Sequence, residues 1–199
     1  MRVAIFASGN GTNFETLVRA FNEHKIQHGK VVLLFCDHPN APVIQRAKRL
    51  KVPYETFPLK QFASKAEYEQ AILTKLQEYQ VDLIALAGYM RVIGPTILSH
   101  YPKRIINLHP AYLPEFQGLH AIERAFDDHL QNGRTQTGVT LHFIDEGLDT
   151  GPVIRQEHVL IKPDDTLDEL EMRIHQTEHR LYPQVLNEVI CQISKGEKE

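Results

Sequence analysis

Cysteine is scarce in this chain: Cys36 and Cys191 are the only two in 199 residues, and neither belongs to a Cys-x-x-Cys pair. That excludes a cysteine-built scaffold, and both read as small, buried, apolar residues of a reducing compartment. No apolar run approaches the length of a bilayer span. No basic block is present, and a net charge of −3 with both signs interspersed offers no surface for nucleic acid or an anionic membrane. The apolar start, Val3 to Ala7, is too short for a signal sequence. A cytoplasmic protein is expected. Repeats, linkers and low-complexity stretches are also lacking, so the 42% hydrophobic content points to one domain, residues 1–199, with a substantial core.

What is present is a regular alternation of elements. Val3 to Ala7 and Val31 to Cys36 are continuous apolar runs, as expected of strands buried on both faces of a parallel sheet. Between them Phe14, Leu17, Val18 and Phe21 recur at helical spacing. A second helix is expected near Val43 to Leu50 and a short strand around Tyr54 to Phe57. Tyr68, Ile72, Leu76 and Tyr79 mark a third helix, followed by strands at Val81 to Ala87 and Arg104 to Leu108. This is a doubly wound series, in which ligands sit outside the carboxyl ends of the strands where the strand order reverses. After His109 the pattern changes. A helix near Ala121 to Leu130 leads to two β-rich runs, Thr137 to Ile144 and Val153 to Ile161, joined by the turn-rich Asp145 to Pro152. Thr166 opens a final helix with Asp168 and Glu169 in its first turn; Pro183 is expected to kink or divide it, and Lys195 to Glu199 to fray. The expected fold is α/β, a doubly wound, mostly parallel sheet with helices on both faces and an antiparallel C-terminal addition.

The chemistry concentrates in a few places. Residues 107 to 114 read Asn-Leu-His-Pro-Ala-Tyr-Leu-Pro, and Leu148-Asp149-Thr150-Gly151-Pro152 follows on a separate turn. In an extended segment Asn107 and His109 project to one side, so an amide and an imidazole can converge on one reacting atom while Asp149 orients and charges the imidazole. An amide that meets a developing oxyanion, beside a histidine and carboxylate pair that handles a proton, suits acyl transfer. Alone, Asn-x-His-Pro also fits a strand ending in a proline-set turn. Ser8-Gly9-Asn10-Gly11-Thr12-Asn13 lies between a strand and a helix, where glycines and a helix N-terminus can hold a phosphate through backbone amides. A plain structural turn capped by Asn or Thr is the alternative. Gly88-Tyr89-Met90-Arg91-Val92-Ile93-Gly94 places apolar groups beside one arginine, which suits a flat ligand with a polar edge. His175-Gln176-Thr177-Glu178-His179 matches H-x-x-E-H, but no evident third ligand follows, so the segment reads as a structural or substrate-contacting helix and Glu178 as a group able to bind an amine.

Together these residues resemble the folate-dependent glycinamide ribonucleotide formyltransferase family over residues Met1 to Pro183. The resemblance implies a formyltransferase-like fold and transfer of a formyl group from 10-formyltetrahydrofolate to the glycine amine of phosphoribosylglycinamide. It implies no metal, no tightly bound cofactor, and no nucleic-acid or membrane partner. By position it assigns catalysis to Asn107, His109 and Asp149, with Asn107 and protonated His109 meeting the oxyanion and Asp149 sustaining the charge. Gly11, Thr12 and Asn13 match the positions that hold the substrate phosphate, and Glu178 the residue that engages the same substrate. Met90, Arg91, Val92, Ile93 and Asn107 match the folate site, as do Ile144, Asp145, Glu146, Gly147 and Leu148. Lys65 matches a position that is arginine in some members. Ala111, Tyr112 and Gln117 depart from the commoner residues around the motif. Two other readings share parts of this pattern. A 10-formyltetrahydrofolate hydrolase would use the same three groups with water as acceptor but would not need residues 8 to 13, and its usual N-terminal regulatory domain is not expected here. A methionyl-tRNA formyltransferase would need a C-terminal RNA-binding domain for which there is no room, and a non-enzymatic nucleotide-binding module would leave Asn107, His109 and Asp149 idle.

Overall fold

The computed structural model describes residues 1–196. Five parallel strands form most of one seven-stranded sheet: β1 (Arg2–Phe6), β2 (Lys30–Cys36), β3 (Tyr54–Thr56), β4 (Leu83–Leu86) and β5 (Ile105–His109). Two antiparallel strands, β6 (Gln136–Phe143) and β7 (Val153–Leu160), extend it, giving the order β3-β2-β1-β4-β5-β6-β7. The helices are α1 (Thr12–Asn22), α2 (Pro42–Leu50), α3 (Lys65–Glu78), α4 (Pro95–Leu98), α5 (Ala121–Asn132) and α6 (Leu167–Gly196).

Period-two geometry sends alternate residues of a strand to opposite faces, and here both faces are dry. Val3, Ile5 and Ala7 join a cluster with Phe14, Leu17, Tyr182 and Val185 from α1 and α6. Ala4 and Phe6 join another with Tyr68, Ile72 and Leu76 from α3. That double coverage is why the first strands read as unbroken apolar runs. Emptying either face at a fully buried phenylalanine such as Phe6 or Phe14 costs about 3–5 kcal/mol.

The chain reverses direction of assembly at β1. It winds outward through β2 and β3, then crosses back to place β4 on the other side of β1. The loops after β1 and β4 therefore flank a crevice at the carboxyl end of the sheet. They are tied together there, Ser8 N donating to Gly88 O at 3.0 Å.

Two features of the last helix differ from expectation. Pro183 does not divide α6, which runs as one helix of 30 residues. The missing amide removes one helical bond, but the turns on both sides are held by buried Leu181, Tyr182, Val185 and Leu186, and packing outweighs the local loss. Lys195 belongs to the helix, and the expected fraying of residues 197–199 falls outside the described residues. The start of α6 is as expected, with Thr166 and Glu169 in a reciprocal capping box: Thr166 N donates to Glu169 Oε2 at 2.8 Å, and Glu169 N to Thr166 Oγ1 at 3.3 Å. Cys36 is buried, whereas Cys191 is only partly so, and both are free thiols.

Candidate active site

Asn107 and His109 lie two apart at the end of β5, and both reach the carboxylate of Asp149. Asn107 Nδ2 donates to Asp149 Oδ1 at 3.3 Å. His109, only 4% exposed, holds Nδ1 3.5 Å from Asp149 Oδ2, an ion-pair separation rather than a close hydrogen bond. Its Nε2 lies 2.9 Å from the Phe116 carbonyl. Both ring nitrogens thus face oxygen atoms, one of a carboxylate and one of a backbone carbonyl.

Asp149 sits in the left-handed region at φ 54, inside the turn between β6 and β7. Asp145 shapes that turn, its Oδ1 accepting from Gly147 N at 2.9 Å and from Thr150 Oγ1 at 2.8 Å. Gly151 closes it against the Phe143 carbonyl, where a Cβ would collide. The loop after β5 then folds over the carboxylate: Gly118 N donates to Asp149 Oδ2 at 2.8 Å, and Gln117 Nε2 to the Asp149 carbonyl at 3.3 Å. Gln117, one of the departures seen in the sequence, therefore supports the turn that carries Asp149. Tyr112, another, stacks on His158 with ring centroids 3.8 Å apart. Ala111, the third, offers its carbonyl to Thr140 Oγ1 at 2.7 Å.

Sequence reasoning missed His142. It pairs with Asn107 across β5 and β6, and its Nε2 lies 3.1 Å from Asn107 Nδ2. Burial pushes its pKa below the ordinary histidine value, opposed in part by the Phe143 carbonyl 2.9 Å from Nδ1. A neutral ring with Nδ1–H on that carbonyl leaves Nε2 as an acceptor for the amide. Only the strand register reveals this contact, and that register is not written in the local sequence.

On the other side of the crevice, Gly11 takes φ 79 and begins α1 without any side-chain cap, so the Asn or Thr cap is not what forms. A Cβ on Gly11 would run into Val43. The first-turn amides of Thr12 and Asn13 are left without helical partners by geometry. Arg46 braces the loop, its Nε donating to Asn10 O at 2.8 Å. The Asn13 side chain is turned inward: Nδ2 donates to Glu178 Oε2 at 2.8 Å, and its Oδ1 is buried without a partner. Glu178 is itself 3% exposed and also meets His175 Nδ1 at 2.8 Å. That contact raises the His175 pKa against the opposing effect of burial. Glu178 of the H-x-x-E-H segment thus pairs with His175 within α6 and links that helix to α1 through Asn13. Among the described residues no group of three or more His, Cys, Asp or Glu is placed to hold a metal ion.

The third segment lines a cavity of about 230 Å³ bounded by Lys65, Tyr68, Glu69, Tyr89 and Met90 to Ile93. Lys65 opens α3 there, its Nζ 3.6 Å from Glu69 Oε1. Met90 is 62% exposed and Val92 is exposed as well, while Ile93 packs into the core beside Tyr89 and Ile144. Arg91 Nε donates to buried Asp37 at 2.6 Å. Glu146, Gly147 and Leu148 complete the exposed part of the β6–β7 turn. Lys65 and residues 90–93 therefore border one cavity, and Ile144 shares the apolar cluster beneath it.

The formyl transferase family model matches residues 1–186. The chain is 45% identical to the phosphoribosylglycinamide formyltransferase of Bacillus subtilis, over 99% of this chain and 98% of that protein. It is 33% identical to the enzyme of the same name from Escherichia coli, over 94% of this chain and 86% of that one. Among solved structures, glycinamide ribonucleotide transformylase 1 from Geobacillus kaustophilus is similar with a TM-score of 0.90 and 50% identity, covering 95% of this chain and 98% of its own. With a family match across nearly the whole sheet and its helices, the chain belongs to the formyl transferase family.

Proposed function

We propose that this chain is a phosphoribosylglycinamide formyltransferase, which moves the formyl group of 10-formyltetrahydrofolate to the substrate amine in purine biosynthesis. One observation carries the reading: Asn107, His109 and Asp149 converge at the end of β5, on the same carboxyl edge of the sheet as the glycine-containing loop that opens α1. The substrates are phosphoribosylglycinamide and the folate; the residues act as one formyltransferase domain in the cytoplasm, in keeping with two free thiols. No helix among the described residues is long and apolar enough to cross a membrane.

The phosphate rests on the amides of Gly11, Thr12 and Asn13, and Glu178 engages the same substrate. Met90 to Ile93, Lys65 and the turn Ile144 to Leu148 receive the folate. The amine lone pair attacks the formyl carbon, and the carbonyl electrons move to oxygen. That oxyanion takes hydrogen bonds from Asn107 Nδ2 and from His109, competing with Asp149 for the amide and with the Phe116 carbonyl for the ring. The 3.3 Å amide bond is long and so the easier to exchange. Collapse expels the folate nitrogen, which receives the proton the amine gives up. Asp149 keeps a negative charge beside His109 throughout.

The test is an assay of tetrahydrofolate release with and without phosphoribosylglycinamide, repeated in the presence of a chelator. Release is expected only with the acceptor and unchanged by chelation. Equal release without acceptor would mean hydrolysis instead, and loss on chelation would mean a metal takes part.

A further inference from the structure

The carboxylate of Asp37 is 1% exposed and stands just beyond β2, at the crevice between the two substrate loops. Its Oδ1 accepts from Ser8 Oγ at 2.6 Å and lies 3.0 Å from His38 Nδ1. Its Oδ2 accepts from Arg91 Nε at 2.6 Å. Ser8 in turn accepts from the backbone amide of Met90 at 3.0 Å. One buried group thus holds the side chain of Arg91 directly and the amide of Met90 through a hydroxyl.

The direction of these bonds is fixed. Ser8 has a single hydroxyl proton, and Met90 N–H needs its lone pair, so that proton goes to Asp37. Asp37 then accepts from both Ser8 and the guanidinium, one bond at each carboxylate oxygen. Arg91 is engaged at Nε, and its Nη1 and Nη2 make no hydrogen bond among the described residues. Its side chain is 35% exposed, so the guanidinium is anchored at Nε while the side chain still reaches the surface. An unheld arginine at a loop surface samples many rotamers, and a ligand that recruited it would bear that ordering cost.

We infer that Asp37 is a positioning residue for the folate side of the site: through Arg91 and the Ser8 hydroxyl it presets residues 90 and 91, so that the arginine's outer edge is presented to the folate in a single geometry. This rests on the formyl-transfer reading above. It adds a residue that touches neither substrate, and it links the folate segment to the strand end that begins the phosphate loop.

Tetrahydrofolate and phosphoribosylglycinamide are titrated separately by calorimetry against wild type, Asp37→Asn, Ser8→Ala, Arg91→Ala and the Asp37→Asn/Arg91→Ala double variant, with kcat measured at saturation. Asp37→Asn is expected to weaken tetrahydrofolate about tenfold, with ribonucleotide affinity within about twofold and kcat within about threefold. Ser8→Ala, which removes only the relay to Met90, is expected to cost about threefold in tetrahydrofolate affinity. The double variant is expected to bind at most about threefold more weakly than Arg91→Ala, the share carried by the Ser8 relay, so that the two single losses are less than additive. Additive losses in the double variant, or equal losses for both ligands, would overturn the inference and leave Asp37 a staple of the fold. Should Asp37→Asn fail to fold, Ser8→Ala decides, and unchanged tetrahydrofolate binding would overturn the inference. A wild-type protein that binds no tetrahydrofolate would instead overturn the folate reading on which it stands.

Discussion

The amide of Asn107 faces the imidazole of His142 across the antiparallel pair β5 and β6, Nδ2 to Nε2, at 3.1 Å. An amide can turn over and exchange its oxygen for its nitrogen, and a neutral imidazole acceptor selects the orientation with nitrogen toward the site. The buried ring and the Asp149 carboxylate together therefore hold Asn107 with its amide nitrogen toward the site.

His142→Phe should keep the volume and lose the acceptor, lowering kcat about tenfold while both substrates bind within about threefold. Steady-state kinetics would check it. The pH dependence of stability should change too. With its folded pKa below the ordinary value of 6.5, His142 takes up its proton more readily when unfolded, so wild type loses stability as pH falls below 6.5. The variant should lose less over the same range, measured by denaturant melts. A steeper acid loss in the variant would mean that His142 is charged in the folded protein.

Asp149→Asn keeps the shape of the turn but removes the charge 3.5 Å from His109. A fall in kcat of about a hundredfold or more is expected, with little change in folate binding. Near-normal kcat would mean that the carboxylate serves only its bonds to Gly118 and Asn107.

Gly11→Val places a branched side chain at φ 79, against Val43. Ribonucleotide affinity should fall at least about tenfold while folate affinity holds, since only the amides at the start of α1 are displaced. Parallel titrations and a melting curve would separate this from a general loss of fold, which would weaken both ligands alike.

His175 is held protonated by Glu178, so its folded pKa exceeds the ordinary 6.5. A raised histidine adds stability that is fully present below 6.5 and is lost as pH rises through the folded value. Glu178→Gln should flatten that loss as pH rises above 6.5 and also weaken the ribonucleotide. An unchanged slope in the melts would separate His175 from Glu178 in solution.

The parts of the site that were legible in the sequence are those set by local geometry. Asn107 and His109 share a side because strands have a period of two, and residues 8 to 13 join a strand to a helix because their glycines and the periodicity of Phe14 to Phe21 require it. The wound sheet follows from unbroken apolar runs in the same way, and its antiparallel extension from two β-rich runs joined by a turn-rich segment. His142 was not legible, since a shift of one residue between β5 and β6 would send it to the other face. Asp37 was hidden for a related reason: its partners Ser8 and Arg91 come from two other strand ends, which meet only when β1 is set between β2 and β4. Of the two outcomes expected at Pro183, a kink or a division, division does not occur, because packing distributed along α6 outweighs the local rule about proline.

The buried hydroxyl of Tyr182 donates to the carbonyls of Leu86 and Ile106, at 3.0 and 3.3 Å. That single group pins α6 to β4 and β5 one residue before Asn107, and Glu178 lies one turn earlier on the same helix. Sliding the helix by a turn would strand the hydroxyl and carry Glu178 away from Asn13, whose contact with it spans 165 positions of chain. A ribosome making this protein therefore releases residues 8 to 13 early and β5 midway, but Asn13 has no partner across the crevice until the helix bearing Glu178 has emerged and docked.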